Sequence, residues 1–168
     1  MNKTVIITGG TSGIGKATAL RFAREGYHVV TTSRSEEKKE RFLKEFSDLG
    51  YEATVYNVDV TDEAQVEQLI QDTVAKYGRL DVMVNNSGIA GEPQIFGQTS
   101  KDNMRNMVEV NLMGVYYGMR YALLQMLKQE QKGKIVNLAS IAGLNGIQLA
   151  GEYGATKHAV VGMTRGAA

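Results

Sequence analysis

The sequence predicts an α/β protein built on a parallel sheet with helices on both faces. Three observations lead there. Short β-branched runs alternate, along the whole of the 168 residues, with longer segments whose apolar residues recur at helical spacing. A glycine-rich turn, Thr8-Gly9-Gly10-Thr11-Ser12-Gly13-Ile14-Gly15, joins the first such run to the first helical segment. No linker, low-complexity tract or repeat interrupts the alternation, so residues 1–168 are expected to form a single domain.

Residues 3–7 are too few for a helix and too apolar for a loop, and they read as a buried strand. The helix after the glycine turn carries Ala17, Ala19, Leu20, Phe22 and Ala23 on its small-apolar face and stops near Gly26. Residues 27–33 form the second strand. The second helix, 36–49, places Phe42, Phe46 and Leu49 on one side, with Gly50 as its stop. Residues 52–58 are the third strand. In the third helix, Val66, Leu69, Ile70, Thr73, Val74 and Tyr77 make one stripe, and Asp62 and Glu63 sit where the helix dipole favours negative charge. The fourth strand is 80–84. An irregular segment, 91–99, holds the only proline, Pro93. A helical stretch from Ser100 then leads, through a kink at Asn111, into a long helix over 112–129. The fifth strand is 134–138, and a last helix begins near Tyr153. Five β-α units in this order describe a Rossmann-type doubly wound sheet in three α/β/α layers. Its ligands sit beyond the C-terminal strand ends, where every polar cluster of this chain falls.

Composition narrows the function. Hydrophobic residues make up 43% and charged residues 22%, an ordinary globular balance. The net charge of +1 offers nucleic acid or an anionic membrane no electrostatic footing. No apolar run reaches membrane-spanning length and no signal-peptide pattern opens the chain, so a cytoplasmic location is expected. The absence of cysteine excludes disulfides and thiolate metal sites. His28 and His158 have no ligand-type company, so no metal site is expected. Residues 36–41, Glu-Glu-Lys-Lys-Glu-Arg, read as the solvated face of the second helix. Met104, Met107, Met113 and Met119 read as core filler able to line an adaptable apolar pocket.

Two constellations carry chemistry. In the first turn, glycines let the backbone bend sharply and admit a ligand closely, while the unpaired N–H groups opening the next helix favour a phosphate. In the second, Tyr153 and Lys157 stand four apart on one helix, hence on one face. An ammonium near a phenol favours the phenolate, which makes a phenol a usable general acid/base. Such a pair alone is an ordinary feature of an exposed helix. Here it is accompanied by Ser140 and Asn111, a hydroxyl and an amide able to polarise a carbonyl or hold a relay water.

The ordered set Thr8-Gly9-x-x-x-Gly13-Ile14-Gly15, Asp59-Val60, Asn85-Asn86-Ser87-Gly88, Asn111, Ser140 and Tyr153-x-x-x-Lys157 resembles the short-chain dehydrogenase/reductase family from end to end. The resemblance implies a NAD(P)(H)-dependent oxidoreductase that interconverts a ketone and a secondary alcohol. Tyr153 is then the acid/base, Lys157 its helper and a ribose ligand, Ser140 the group steadying the substrate oxygen, and Asn111 the holder of a relay water. Gly9, Thr11, Ser12, Gly13, Ile14 and Gly15 would cradle the pyrophosphate. Asp59 and Val60 would flank the adenine, and Asn86, Ser87 and Gly88 would support the nucleoside. Ser87 departs from the family's usual alanine by one hydroxyl. Ser33-Arg34 ends the second strand where NAD-specific enzymes place a carboxylate, so NADP(H) is favoured, with NAD(H) as the alternative. The competing reading is a Rossmann nucleotide-binding protein without turnover, which the intact four-residue set argues against.

The substrate is expected to be a small carbonyl or alcohol compound, with no nucleic acid or membrane as partner. Apolar residues on several sides of the 112–129 helix predict a homodimer or homotetramer formed through that helix and the last one. The pattern is still helical near Ala168, with no sixth strand after it. The native polypeptide is therefore expected to continue beyond Ala168 into further strands and a substrate-covering lid.

Overall fold

Residues 2–168 are described by a computed structural model. Five parallel strands form its sheet: β1 (Thr4–Ile7), β2 (His28–Thr32), β3 (Ala53–Tyr56), β4 (Val82–Asn85) and β5 (Lys134–Asn137), in the order β3-β2-β1-β4-β5. Because β1 is central, its four residues are all buried, and period-two alternation splits them between two cores. Val5 and Ile7 pack with Ala19, Ala23, Phe42 and Phe46 of α1 (Gly13–Arg24) and α2 (Glu36–Asp48). Ile6 faces the opposite way, with Val66, Leu69 and Ile70 of α3 (Glu63–Tyr77) and Ala122 and Met126 of α5 (Gly114–Met126). The expected three layers follow, and the sheet reverses direction of winding between β1 and β4, where a crevice opens.

α4 (Lys101–Val108) runs without a break into α5 through Glu109–Met113, one wider turn with i→i+5 bonding. The expected kink at Asn111 is this π turn, a device that re-aims side chains without ending the helix. α6 (Gly151–Gly166) starts two residues before Tyr153 and packs on α5 through Val160, Val115 and Met119. Leu49 departs from expectation. It caps α2 and is 55% exposed, because the helix ends one residue short of it. Met107 and Met119 are core residues. β5 has a strand partner on one side only, and its Val136 is 47% exposed. Among the described residues, no helix is long and apolar enough to cross a membrane, and no cluster of three metal-ligating side chains occurs.

Candidate functional site

A cavity of about 650 Å³ opens at the C-terminal ends of the strands, over the point where the winding reverses. Its near wall is the glycine turn, lined by Gly9, Thr11, Ser12, Ile14 and Gly15. The loop after β4 and the end of β2 hold this turn. Thr8 Oγ1 accepts from the N–H groups of Asn86 (3.0 Å) and Ser87 (3.1 Å), and Asn86 Nδ2 donates to the Thr8 carbonyl at 2.8 Å. From β2, Thr32 Oγ1 accepts from the Gly9 N–H at 3.0 Å. Gly9 has φ +65°, and a Cβ on Gly15 would lie 2.6 Å from the Gly9 carbonyl oxygen, so both positions require glycine. Ser12 is the N-cap of α1, yet its side chain makes no capping bond, and no acidic residue lies in the first turn. The leading N–H groups of α1 are thus left for an anion.

At one end of the cavity stand Ser33, Arg34, Ser35 and Lys38. Ser35 caps α2, accepting from the Lys38 N–H at 3.2 Å, and the Ser33 hydroxyl donates to the Ser35 carbonyl at 2.9 Å. The Arg34 guanidinium pairs with Asp59 at 3.2 Å. The Thr61 N–H, with further help from the Thr61 hydroxyl and Arg34, holds the Asp59 carboxyl below the usual range. Two cations and one carboxylate therefore meet here, with no acidic group at the end of β2 itself.

At the other end, Tyr153 and Lys157 line the cavity beside Leu138 and Ala139. Lys157 is only 5% exposed, and its Nζ donates to the Leu138 carbonyl at 2.8 Å and lies 5.6 Å from the centre of the Tyr153 ring. Burial pushes the Lys157 ammonium below the ordinary lysine range. Ser140 follows β5 and accepts from the Ala142 N–H at 3.2 Å, which leaves its own proton available. Asn111 is wholly buried. Its Oδ1 accepts from the Ile89 N–H and its Nδ2 donates to the Ile89 carbonyl, both at 2.8 Å, and to Thr156 Oγ1 at 3.2 Å. The amide is committed to holding the loop after β4, rather than aimed into the cavity.

Most of the residues singled out in the sequence meet at this one cavity: Gly9, Thr11, Ser12, Ile14, Gly15, Arg34, Asn86, Ser87, Gly88, Tyr153 and Lys157 all line it. Gly13 and Asp59 do not line it: Gly13 is exposed at the start of α1, and Asp59 is paired with the lining Arg34. Val60 does not line it. It is a core residue against Gly114, and Val58 takes the lining place. Lys38 was missed as a lining residue, being grouped with the solvated face of the second helix. Its signal was the spacing from the Ser35 cap, which puts it in the first turn of α2.

The sequence matches the short chain dehydrogenase family profile over residues 3–168. The chain belongs to the short chain dehydrogenase family. It is 39% identical over 168 residues to a diacetyl reductase [(S)-acetoin forming] of Staphylococcus epidermidis, covering all of this chain and 65% of that protein. Among solved family structures, ElxO with NADP bound superposes with a TM-score of 0.94 at 46% identity, over 100% of this chain and 67% of that one. A short-chain dehydrogenase/reductase from Burkholderia phymatum in complex with NAD gives 0.94 at 32% identity, over 99% and 59%. The chain thus spans about 65% of the length of the curated relative.

Proposed function

We propose that this domain is the dinucleotide-binding and catalytic part of a NAD(P)(H)-dependent oxidoreductase that interconverts a small ketone and a secondary alcohol. The observation carrying this reading is that the glycine turn and the Tyr153–Lys157 pair, more than a hundred positions apart in the chain, line one cavity. The residues fit the cofactor. The uncapped start of α1 and the two required glycines suit a pyrophosphate, and Arg34 and Lys38 suit a ribose 2′-phosphate. NADP(H) is accordingly favoured, in keeping with the NADP of ElxO, while the NAD of the Burkholderia protein keeps NAD(H) open.

The bound dinucleotide would supply or accept the hydride. The chain's own part is to place a carbonyl oxygen within reach of the Tyr153 and Ser140 hydroxyls. Tyr153 gives its proton to that oxygen in reduction and takes it back in oxidation. Ser140 donates a hydrogen bond to the same oxygen as negative charge develops there. Lys157 holds a positive charge above the ring and favours the phenolate. Asn111 fixes the Ile89 loop that closes the cavity beside Gly88. We further propose that the protein is cytoplasmic and homo-oligomeric, through the exposed Tyr116, Leu123, Leu124 and Leu127 of α5 and its C-terminal end. The test is binding of NADP(H) by the protein together with ketone-dependent loss of the reduced nicotinamide absorbance. Binding without turnover of any ketone or alcohol would favour the non-catalytic reading.

A further inference from the structure

α6 carries two polar pairs, each four residues apart. Tyr153 and Lys157 line the cavity. Glu152 and Thr156, one position earlier and so about 100° around the helix, are turned toward α4 and the π turn. Both are buried, Glu152 being 6% exposed and Thr156 2%. Thr156 Oγ1 accepts from Asn111 Nδ2 at 3.2 Å and donates to the Tyr153 carbonyl at 2.8 Å. Glu152 Oε2 accepts from Asn103 Nδ2, on α4, at 2.6 Å.

Glu152 is the unusual member of this set. A buried carboxylate normally has a cation beside it, yet none of the ion pairs among the described residues includes Glu152. Its compensation is one amide donor and the positive end of α6, in whose first turn it lies. An apolar side chain of the same size would pack there at less cost, so filling space does not explain a carboxylate. What the carboxylate adds is direction. It ties the first turn of α6 to α4 at one point, as Thr156 ties the second turn to the π turn at another. Tyr153 lies between the two ties. α4 also receives the loop after β4, because Gly91 packs against Asn103 and Met107.

We propose that Glu152, with Asn103, is a positioning residue that fixes the first turn of α6 and so aims Tyr153 into the cavity, while Lys157 keeps its own tie to the Leu138 carbonyl. The inference rests on the reading of Tyr153 as the proton carrier. Misplacing a reacting group by about 1 Å costs up to ~100-fold in rate, so loss of the tie acts on kcat more than on cofactor affinity.

The experiment compares Glu152→Ala, Asn103→Ala, Glu152→Gln and the exchange Asn103→Asp/Glu152→Gln in the full protein. Each is assayed for kcat and KM, for NADPH dissociation constant, and for amide hydrogen exchange. Both alanine variants are expected to lose roughly 10- to 100-fold in kcat while the dissociation constant changes less than about threefold. Exchange should quicken together in α4 and the first turn of α6. Glu152→Gln keeps an oxygen acceptor, and the exchange variant keeps one carboxylate and one amide, so both should recover most of kcat. Folded alanine variants with wild-type kcat overturn the inference, as does an exchange variant that folds yet stays as slow as Glu152→Ala. If the alanine variants do not fold, the exchange variant is judged against wild type: a kcat within about threefold is expected, and a folded exchange variant slowed about tenfold or more overturns the inference. A wild-type protein that binds NADPH but turns over no ketone overturns the catalytic reading and this inference with it, whereas an active wild type with unaffected variants overturns this inference alone.

Discussion

Asn111→Ala removes three hydrogen bonds at once, and the structure says what that costs. The wild-type amide serves both main-chain groups of Ile89 and the hydroxyl of Thr156, from a position with no exposed surface. Leaving a buried polar group unpaired costs about 1–3 kcal/mol. Ile89 is only partly buried, so water can serve its N–H and carbonyl in part, and the lower half of that range applies to each. The sum is a loss of about 2–4 kcal/mol, which for a chain of this size lowers Tm by roughly 5–15 °C. Asn111→Asp keeps an oxygen for the Ile89 N–H but sets another against the Ile89 carbonyl, so it should cost at least as much. Urea unfolding of the three proteins measures this directly. Because Ile89 lines the cavity, dinucleotide affinity should fall as well. A change below about 0.5 kcal/mol in Asn111→Ala, the level of an ordinary surface substitution, would refute the assignment of the amide to the Ile89 loop.

Three other outcomes follow from the same geometry. Arg34→Ala and Lys38→Ala should each weaken NADPH binding by about tenfold, on the scale of one charge-assisted hydrogen bond, and leave NADH binding within about twofold; equal loss for both cofactors in titration calorimetry would contradict the 2′-phosphate site. Burial lowers the folded-state pKa of Lys157, so between that value and the ordinary 10.5 the unfolded chain holds more protons and stability rises with pH. Lys157→Met removes that rise, and its stability advantage over wild type should be largest near neutrality and shrink as pH climbs, as read by urea unfolding across the range. Light scattering at micromolar concentration should report a dimer or tetramer, and Leu127→Lys at the 81%-exposed end of the α5 surface should shift it toward the monomer; a wild-type monomer would contradict the oligomer.

Much of this site was legible in the sequence because its parts are local. The glycine turn must sit between a buried strand and a helix, and Tyr153 and Lys157 must share a face at four-residue spacing whatever surrounds them. The central strands were legible for a related reason, since β1 and β4 bury every residue and β2 all but its first, whereas β3 and β5, at the two edges of the sheet, have none fully buried. What could not be read depends on partners far away in the chain. Val60 turns into the core because Gly114, more than fifty residues on, leaves room for it. The direction of the Asn111 amide depends on the π turn, and hydrophobic periodicity does not distinguish a π turn from an α turn. Lys38 looked like one charge in a solvated run until the cap at Ser35 brought the first turn of α2 to the cavity mouth. Glu152 was silent because a carboxylate in the first turn of a helix has an ordinary explanation in the dipole, and its burial is a property of how α4 lies on α6.

The central claim is that Tyr153 moves the proton while the rest of the cavity holds the dinucleotide. Tyr153→Phe tests it most directly, since it removes one oxygen from a residue whose ring and helix stay in place. With a ketone that the wild type reduces, the variant is expected to bind NADPH within about threefold of wild type and to lose at least ~100-fold in kcat, the contribution of a positioned acid/base. Near-normal turnover by Tyr153→Phe would contradict the claim.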